Sequence, residues 1–196
     1  MNPSLEAMAG ASFTTAPFPH FSGQALLGQH WSTALLEWLE QGAPWCLKIA
    51  SFYEQYEFSV ADAELPDCIA PLFDPKMTEA LKGCVSRTFG AELAAHHDIT
   101  AHKLVAGQRI RIHNDFIPGR ESHRVLVQLN RGWMDSQGGT LLFFGSDAPE
   151  DVRKAFRPLH DSCVAFEISR NSHHAVTPIA DGERFTLVYS FYRACV

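Results

Sequence analysis

The stretch RIRIHNDF, residues 109–116, begins as a β-strand and ends with two side chains of a kind that binds metals. Its first four residues alternate between arginine and isoleucine, which is the two-residue period of a half-buried strand. His113 and Asp115 follow with the same spacing of two, so both side chains should point the same way from an extended backbone. Two interpretations are open: an ion pair at the surface, which would contribute little stability, or two ligands of one metal ion.

The overall composition fits a globular protein and excludes several kinds of partner. Hydrophobic residues make up 46% of the 196 residues and charged residues 19%, with a mean hydropathy of -0.09 and no long apolar run. This composition argues against a membrane span. The formal charge is -6 and the basic residues are scattered, so neither nucleic acid nor an anionic membrane is an expected partner. The oligomeric state is left open.

Two features of the sequence predict a cytoplasmic protein. The N-terminal segment lacks the basic and apolar regions of a signal peptide, and we expect residues 1–19 to form a loose arm. The five cysteines are odd in number, widely spaced and without a CxxC pair, which favours reduced thiols over disulfides or a zinc site. Residues 20–196 should then form a single domain, with a flank of helices and strands over 20–97 and a core over 98–193.

The flank contains two predicted helices. Residues 27–42 carry apolar side chains near helical spacing and end at a glycine. Residues 74–90 begin with an aspartate suited to capping, continue with a proline and also end at a glycine. Between the helices, residues 45–60 are predicted to be extended because polar residues are interleaved with aromatic and apolar ones.

The second half of the chain is predicted to be almost entirely β-structure. Short apolar runs follow one another, separated by turn residues such as Pro118-Gly119 and Asp181-Gly182. A helix is an alternative for one segment only, PEDVRKAF at 149–156. Many short strands with turns between them indicate a sandwich or small barrel of antiparallel sheets. The predicted strands lie at residues 99–105, 109–113, 123–130, 140–145, 162–168, 174–179 and 185–192.

A third candidate ligand lies far downstream of the first two. His174 stands at the start of a predicted strand, and Arg184 opens the next one after a turn. If the strands fold into a double-walled barrel, His174 can come to lie opposite His113 and Asp115. Two imidazoles and one carboxylate on one side of a metal are the ligand set of non-haem Fe(II) oxygenases, in which the other coordination positions stay open.

The order of these elements resembles that of the prolyl 4-hydroxylase-type Fe(II)/2-oxoglutarate oxygenases. The resemblance covers about residues 100 to 193, and although each element is common, the ordered set is specific. It runs through His113-Asn-Asp115, VQLN at 127–130, Trp133, Gly138-Gly139, Pro158, Phe166, HAVTP at 174–178 and GERFT at 182–186.

This resemblance implies a mainly β fold with flanking helices around a double-stranded β-helix, the jelly-roll or cupin-like core. It also implies Fe(II) as cofactor, 2-oxoglutarate and O2 as cosubstrates, and ascorbate as a candidate reductant. The metal ligands are then His113, Asp115 and His174, and these are the catalytic residues. His173 is a rival ligand, but His174 is the residue that begins the H-x-V-x-P match.

The cosubstrate residues follow from the same resemblance, with two departures from its pattern. Arg184 should bind the distal carboxylate of 2-oxoglutarate through its forked guanidinium, and Thr186, on the same face of its strand, should add a hydrogen bond. A salt bridge between Arg184 and a neighbouring acidic residue at the surface is the alternative. Gln128 stands where many relatives have tyrosine, and Lys103 stands in the place of a second tyrosine; both are expected to contact the cosubstrate.

The expected activity is hydroxylation of a C–H bond in an amino-acid side chain, with succinate and CO2 as coproducts. Asp115 favours this outcome, because halogenating relatives lack the carboxylate. The substrate is expected to be a peptide or protein, including a ribosomally made peptide natural product, or a free amino acid. Two alternatives are a non-catalytic jelly-roll binding domain and a cupin-type metal enzyme that does not use 2-oxoglutarate.

Overall fold

The computed structural model describes residues 12–194, which contain twelve β-strands and two α-helices. The helices are α1 (Gln29–Gln41) and α2 (Pro75–Phe89), and there are three short 3-10 turns at Val60–Asp62, Ala70–Phe73 and Asp135–Gln137. The strands are β1 (Ser12–Thr14), β2 (His20–Gln24), β3 (Cys46–Ile49), β4 (Glu54–Ser59), β5 (Leu93–Val105), β6 (Ile110–His113), β7 (Glu121–Gln128), β8 (Leu141–Phe144), β9 (Val152–Phe156), β10 (Ser162–Glu167), β11 (His174–Val176) and β12 (Glu183–Arg193).

The strands form two antiparallel sheets that face each other. The major sheet has eight strands in the order β1-β2-β10-β7-β12-β5-β4-β3, and the minor sheet has four in the order β6-β11-β8-β9. Strands distant in sequence are neighbours in both sheets, as in a double-stranded β-helix. The arrangement confirms the predicted mainly β fold with a jelly-roll core and helices outside.

The alternation of side chains along the strands of the major sheet divides the core into two layers. Leu126, Phe166 and Val188 project inward and pack against the minor sheet, which contributes Phe143 of β8. The neighbouring side chains in sequence project to the other face, where they pack against the helices. The outer layer includes Leu35, Leu36, Leu39, Leu81, Val85, Val125, Val127 and Leu187.

Both predicted helices form, and each has a specific start. The Asp74 side chain accepts a hydrogen bond from the Lys76 backbone N–H at 2.8 Å, and Gly90 ends α2 in the left-handed conformation. The start of α1 is held from a distance, because the buried carboxylate of Asp161 accepts hydrogen bonds from the backbone N–H groups of Leu27 and Gly28, both at 2.8 Å. Because Asp161 directly precedes β10, its contacts tie the start of α1 to the major sheet.

One alternative and one prediction about local structure are wrong. Residues 149–156 do not form a helix, since Val152–Phe156 pairs with β8 as a largely exposed edge strand. The predicted loose arm also does not extend to residue 19: Ser12–Thr14 pairs with β2, and Phe18 is only 3% exposed in the inner core. Burial of this aromatic ring ties the segment to the sheet. Residues 1–11 lie outside the described part of the chain.

The flank over residues 20–97 contributes more to the sheet than the sequence predicts. Strands β2, β3 and β4 all join the major sheet, and β5 begins before residue 98. None of the four cysteines within residues 12–194 is joined in a disulfide, and Cys195 lies outside the described range. No helix within the described residues is both long and apolar enough to cross a membrane.

Candidate active site

His113, Asp115 and His174 meet at one end of the minor sheet. His113 ends β6 and His174 begins β11, and the register of these antiparallel strands places the two residues directly opposite each other. Asp115 lies just beyond β6 with a positive φ of 57°, which turns the chain back towards the imidazoles. Its Oδ1 is 3.3 Å from His113 Nε2 and its Oδ2 is 3.1 Å from His174 Nε2. Three candidate ligand atoms therefore lie within 4.8 Å of one another.

Each imidazole is oriented by its own backbone. His113 Nδ1 is 2.8 Å from the Arg111 carbonyl oxygen, and His174 Nδ1 is 2.8 Å from the Ser172 carbonyl oxygen. A nitrogen that donates to a carbonyl carries the proton, so in the neutral rings both Nε2 atoms present lone pairs to the cluster. The Phe52 ring stacks on His113 with centroids 4.3 Å apart and covers one of its faces.

The negative charge of Asp115 and the burial of His174 suit a bound cation. Burial would raise the pKa of Asp115, but the Arg124 guanidinium, together with the two nearby imidazoles, holds that pKa well below its usual range. Burial, helped by the neighbouring His113, lowers the pKa of His174. One ionised carboxylate and two imidazoles whose Nε2 atoms face it match the facial ligand set of non-haem iron, and they lie on one side of a cavity that leaves room for further ligands.

The neighbouring histidine, His173, is not part of this cluster. Its side chain is partly buried, and its backbone carbonyl accepts a hydrogen bond from the Phe144 N–H. Adjacent residues of a strand project to opposite faces, so His173 and His174 cannot both turn inward at this point of β11. Within the described residues the geometry favours His174 over His173 as the third ligand.

The cluster opens into a cavity of about 540 Å³ between the two sheets, and Arg184 lies in the same cavity. Arg184 is 3% exposed, and its Nη1 donates a hydrogen bond to Thr186 Oγ1 at 2.7 Å. The Thr186 hydroxyl in turn donates to Gln128 Oε1 at 3.0 Å. The structure therefore brings three of the four predicted cosubstrate residues together.

The guanidinium of Arg184 has no negative partner among residues 12–194. Every ion pair of the described residues involves other side chains, and Arg184 Nε is buried without a hydrogen-bond partner. Burial alone lowers the pKa of Arg184 to about 10, so the group remains charged near neutral pH. A buried, unpaired cation is costly. This arrangement fits a carboxylate-bearing ligand that enters the cavity, as 2-oxoglutarate would.

Lys103, the fourth predicted residue, is on the wrong face of its strand. Its ammonium nitrogen is 3.2 Å from Glu183 Oε1 and lies over the rings of Trp45 and Tyr56, outside the cavity. The preceding residue, His102, projects inward instead. The prediction for Lys103 is therefore corrected: counting back from His113 across the turn at Gly107 misses the inward position by one residue.

His102 is a cavity residue that the sequence did not single out. It is directly opposite Thr186 in the major sheet, and Thr186 is also opposite Gln128, so the three side chains form one inward row across β5, β12 and β7. Burial, together with the positive charges of Arg124 and Arg184, lowers the pKa of His102 to about 3, and the ring is therefore neutral. His102 shares the inward face of β5 with Thr100, two residues before it, which also lines the cavity.

A close-packed framework holds Arg184 in place. A Cβ atom on Gly139 would lie 2.8 Å from Arg184 Cδ and 3.2 Å from the Trp133 ring, so only glycine fits beside the arginine. The Trp133 ring N–H donates to the Gly138 carbonyl at 2.9 Å. Buried Asn130 accepts from the Phe185 backbone N–H at 2.7 Å and so fixes the start of β12. These contacts account for the conformation of the Trp133 and Gly138-Gly139 elements of the sequence pattern.

Comparisons with known proteins agree with this geometry. The chain matches the model of the 2OG-Fe(II) oxygenase superfamily over residues 87–192, which is more than half of its length and includes the cluster and Arg184. No curated protein matches the sequence.

Solved structures of prolyl hydroxylases share the fold at low sequence identity. A Pseudomonas putida prolyl-4-hydroxylase superposes with a TM-score of 0.71 at 18% identity, covering 97% of each chain. A Trichoplax adhaerens prolyl hydroxylase, in complex with a hypoxia inducible factor peptide fragment, gives 0.69 at 15% identity over 89% of this chain and 83% of that one. A viral collagen prolyl hydroxylase from Paramecium Bursaria Chlorella virus-1, in a 2OG complex, gives 0.64 at 13% identity over 89% and 96%.

The profile match and the shared fold lead to one assignment. The described residues supply the two features that this family's cofactor and cosubstrate need, a cluster of two imidazoles and one carboxylate and a buried arginine without a counter-ion. The chain belongs to the 2OG-Fe(II) oxygenase superfamily, whose members use Fe(II) with 2-oxoglutarate and O2.

Proposed function

We propose that the protein is a hydroxylase that oxidises a C–H bond of an amino-acid side chain, in a peptide or protein or in a free amino acid. Succinate and CO2 are the coproducts. One observation carries the proposal: the unpaired guanidinium of Arg184 shares a cavity with the His113, Asp115 and His174 cluster. A binding domain without catalysis has no need for both features in one cavity.

The three clustered side chains would hold the iron. His113 and His174 offer Nε2 lone pairs because their Nδ1 atoms lie against backbone carbonyls, and Asp115 offers an ionised carboxylate. Bound Fe(II) and 2-oxoglutarate supply dioxygen activation and the two electrons that accompany oxygen insertion. The protein contributes placement, since two ligands lie on paired strands and the third on the turn that follows one of them.

The opposite wall of the cavity would hold 2-oxoglutarate. Arg184 can donate two parallel hydrogen bonds to the distal carboxylate, and the Thr186 hydroxyl lies beside it. Gln128 accepts from Thr186 and so fixes the direction of that hydroxyl. His102 adds a neutral imidazole on the other side of Thr186, in place of the role predicted for Lys103. The inward apolar side chains Leu126 and Val188 limit access of water to this wall.

The outer part of the cavity would receive the substrate. Its wall is polar and charged and includes Tyr53, Glu57, Asp98, Arg120 and Glu121. A wall of this kind suits the backbone amides of a peptide or the polar ends of an amino acid better than an apolar small molecule. The Trichoplax prolyl hydroxylase, which shares the fold, was solved with a peptide. We therefore favour a peptidyl substrate, and the presence of Asp115 favours hydroxylation over halogenation.

The test combines ligand binding with product analysis. Anaerobic Fe(II) and 2-oxoglutarate should give the weak visible charge-transfer band of the ternary complex in the wild type and in His173→Ala, and no band in His174→Ala. Aerobic incubation with a library of proline-containing and other peptides should then yield succinate together with a peptide heavier by one oxygen atom, as measured by mass spectrometry. A band of normal strength in His174→Ala would defeat the proposed iron site.

A further inference from the structure

The side chain of Arg124 bridges the metal cluster and an acidic residue of its own strand. Its Nη1 is 2.5 Å from Asp115 Oδ2, while its Nε and Nη2 are 2.8 Å and 2.7 Å from the two carboxylate oxygens of Glu121. The guanidinium projects from β7 into the cavity, and its side chain is only 18% exposed. All three contacts are charge-assisted, and the pair with Glu121 has the two-pronged geometry that holds a guanidinium in one orientation.

Asp115 depends on such a contact more than the two histidines do. His113 and His174 are fixed by paired strands and by their hydrogen bonds to backbone carbonyls. Asp115 lies beyond the end of β6, where strand pairing no longer restrains the backbone, and it has a left-handed φ of 57° that is unusual for a residue other than glycine. Its carboxylate could rotate about χ1 and χ2 if no partner held it.

We propose that Arg124 is a positioning residue that locks the Asp115 carboxylate towards the two imidazoles before any metal binds, with Glu121 locking Arg124 in turn. The inference rests on the proposed function, because it takes Asp115 as an iron ligand. The contact uses one side of Asp115 Oδ2, and the same oxygen remains 3.1 Å from His174 Nε2. In this proposal Arg124 acts on the metal through Asp115.

Removal of Arg124 should change metal affinity in opposite directions, depending on whether Arg124 acts by orienting Asp115 or only by its positive charge. A cation close to a divalent metal site repels the metal, so loss of Arg124 should tighten metal binding if charge alone matters. Loss of a group that orients a metal ligand weakens binding, typically by about 10- to 100-fold. Because Glu121 already balances the charge of Arg124 at 2.7 Å, the repulsive effect is small here, and weakening should dominate.

The experiment measures metal affinity directly in the full-length protein, without turnover. Mn(II) binding is titrated calorimetrically in the wild type, Arg124→Met, Arg124→Lys, Glu121→Gln and Arg120→Met. Arg124→Met should raise the Kd by about 10- to 100-fold. Arg124→Lys keeps the charge but loses the fork and should weaken binding by about fivefold or more. Arg120→Met removes a neighbouring cavity arginine that makes none of these contacts, and should change the Kd by less than about twofold.

A spectroscopic readout separates positioning from a general effect on folding. The visible spectrum of the Co(II) form reports the number and type of ligands, so it should change in Arg124→Met and stay unchanged in Arg120→Met. Glu121→Gln should give an intermediate Kd, because the amide oxygen can still accept a hydrogen bond from Arg124. If Arg124→Met does not fold, Arg124→Lys and Glu121→Gln carry the test, and wild-type affinity in both overturns the inference.

Failure of the inference about Arg124 can be told apart from failure of the proposed function. Loss of Mn(II) binding in His174→Ala, with unchanged or tighter binding in Arg124→Met, would overturn the role of Arg124 and leave the iron site intact. Equal binding by the wild type and His174→Ala would instead show that the metal does not bind at the cluster, and the proposed function itself would fall.

Discussion

Arg184 and Thr186 are two residues apart on β12, and their side chains are joined inside the barrel by a 2.7 Å hydrogen bond from Nη1 to Oγ1. The bond aims the guanidinium along the inner face of the sheet, towards the space that the metal cluster also borders. The remaining donors of the arginine find no carboxylate among the described residues, so the pair forms an anion site prepared before its ligand arrives.

Replacement of this arginine should weaken cosubstrate binding and leave the empty fold intact. Arg184→Met loses two charge-assisted hydrogen bonds, together about 3 kcal/mol, so the Kd for 2-oxoglutarate should rise by about 100-fold. Because a buried charge without a partner is costly, the same variant should melt at or above the wild-type temperature when no ligand is present. Anaerobic titration of the visible band and thermal melts check the two parts. A large fall in melting temperature would mean that Arg184 has a structural partner.

His102 and Lys103 allow a comparison between adjacent residues of one strand. His102→Phe removes an inward polar group from the row that contains Thr186 and should raise the Kd for 2-oxoglutarate by about threefold to tenfold, as expected for one neutral hydrogen bond. Lys103→Met alters only the outer face, where the ammonium contacts Glu183, and should leave that Kd unchanged. The titration used for Arg184 measures both. The reverse order of effects would restore the sequence-based role of Lys103.

Gly139 tests how closely the framework fits around Arg184. In Gly139→Ala the new methyl group would lie 2.8 Å from Arg184 Cδ and from Ile179 Cδ1, at a φ of 68°. We expect a loss of about 2 to 4 kcal/mol in the free energy of unfolding and weaker 2-oxoglutarate binding, because the arginine must move. Gly90→Ala is the matched control: its φ is 61° with no atom within 4 Å, so only the backbone cost of about 1 kcal/mol should appear. Equal losses in both variants would contradict the packing argument.

Buried His123 should make the fold less stable in acid. Its ring is fully buried, Nε2 has no hydrogen-bond partner, and burial with the nearby charge of Arg193 lowers its pKa from 6.5 to about 4. Between these two values the unfolded chain binds the proton and the folded protein does not, so stability falls as the pH falls through this window. The contribution of His123 between pH 7 and pH 5 is about 2 kcal/mol.

Urea unfolding at both pH values checks this prediction. His123→Phe should reduce the loss of stability on acidification, whereas His30→Gln, at an exposed position, should not. The same loss in the wild type and His123→Phe would assign the acid sensitivity to other groups.

Patterns local to the sequence predict most of the fold. The two-residue period identifies the strands of the second half, and the aspartate and glycine caps delimit α2, because these signals depend on the backbone nearby. The strand Val152–Phe156 was not separable from a helix, since it is short, carries two adjacent charged residues and forms only because β8 offers a partner. Pairing of that kind is a tertiary effect that a single sequence does not display.

The candidate site shows the same contrast between residues that local sequence patterns predict and residues that depend on tertiary contacts. The spacing of His113 and Asp115 and the ordered elements downstream pointed to residues that the structure brings together, including Arg184, Thr186 and Gln128. The predicted role of Lys103 is wrong because an error of one residue in counting across a turn exchanges the two faces of a strand. No sequence pattern indicated the role of Arg124, because its contact with Asp115 depends on how the loop from residue 116 to 120 returns to the sheet.

The inward row of His102, Thr186 and Gln128 limits which insertions and deletions the protein can tolerate. Each residue projects inward through strict alternation along a different strand, so inserting or deleting a single codon within β5, β7 or β12 would turn its side chain outward and bring a neighbouring side chain in. Length changes should therefore accumulate in the turns between strands, where new specificities can arise, while point substitutions alone reshape the walls.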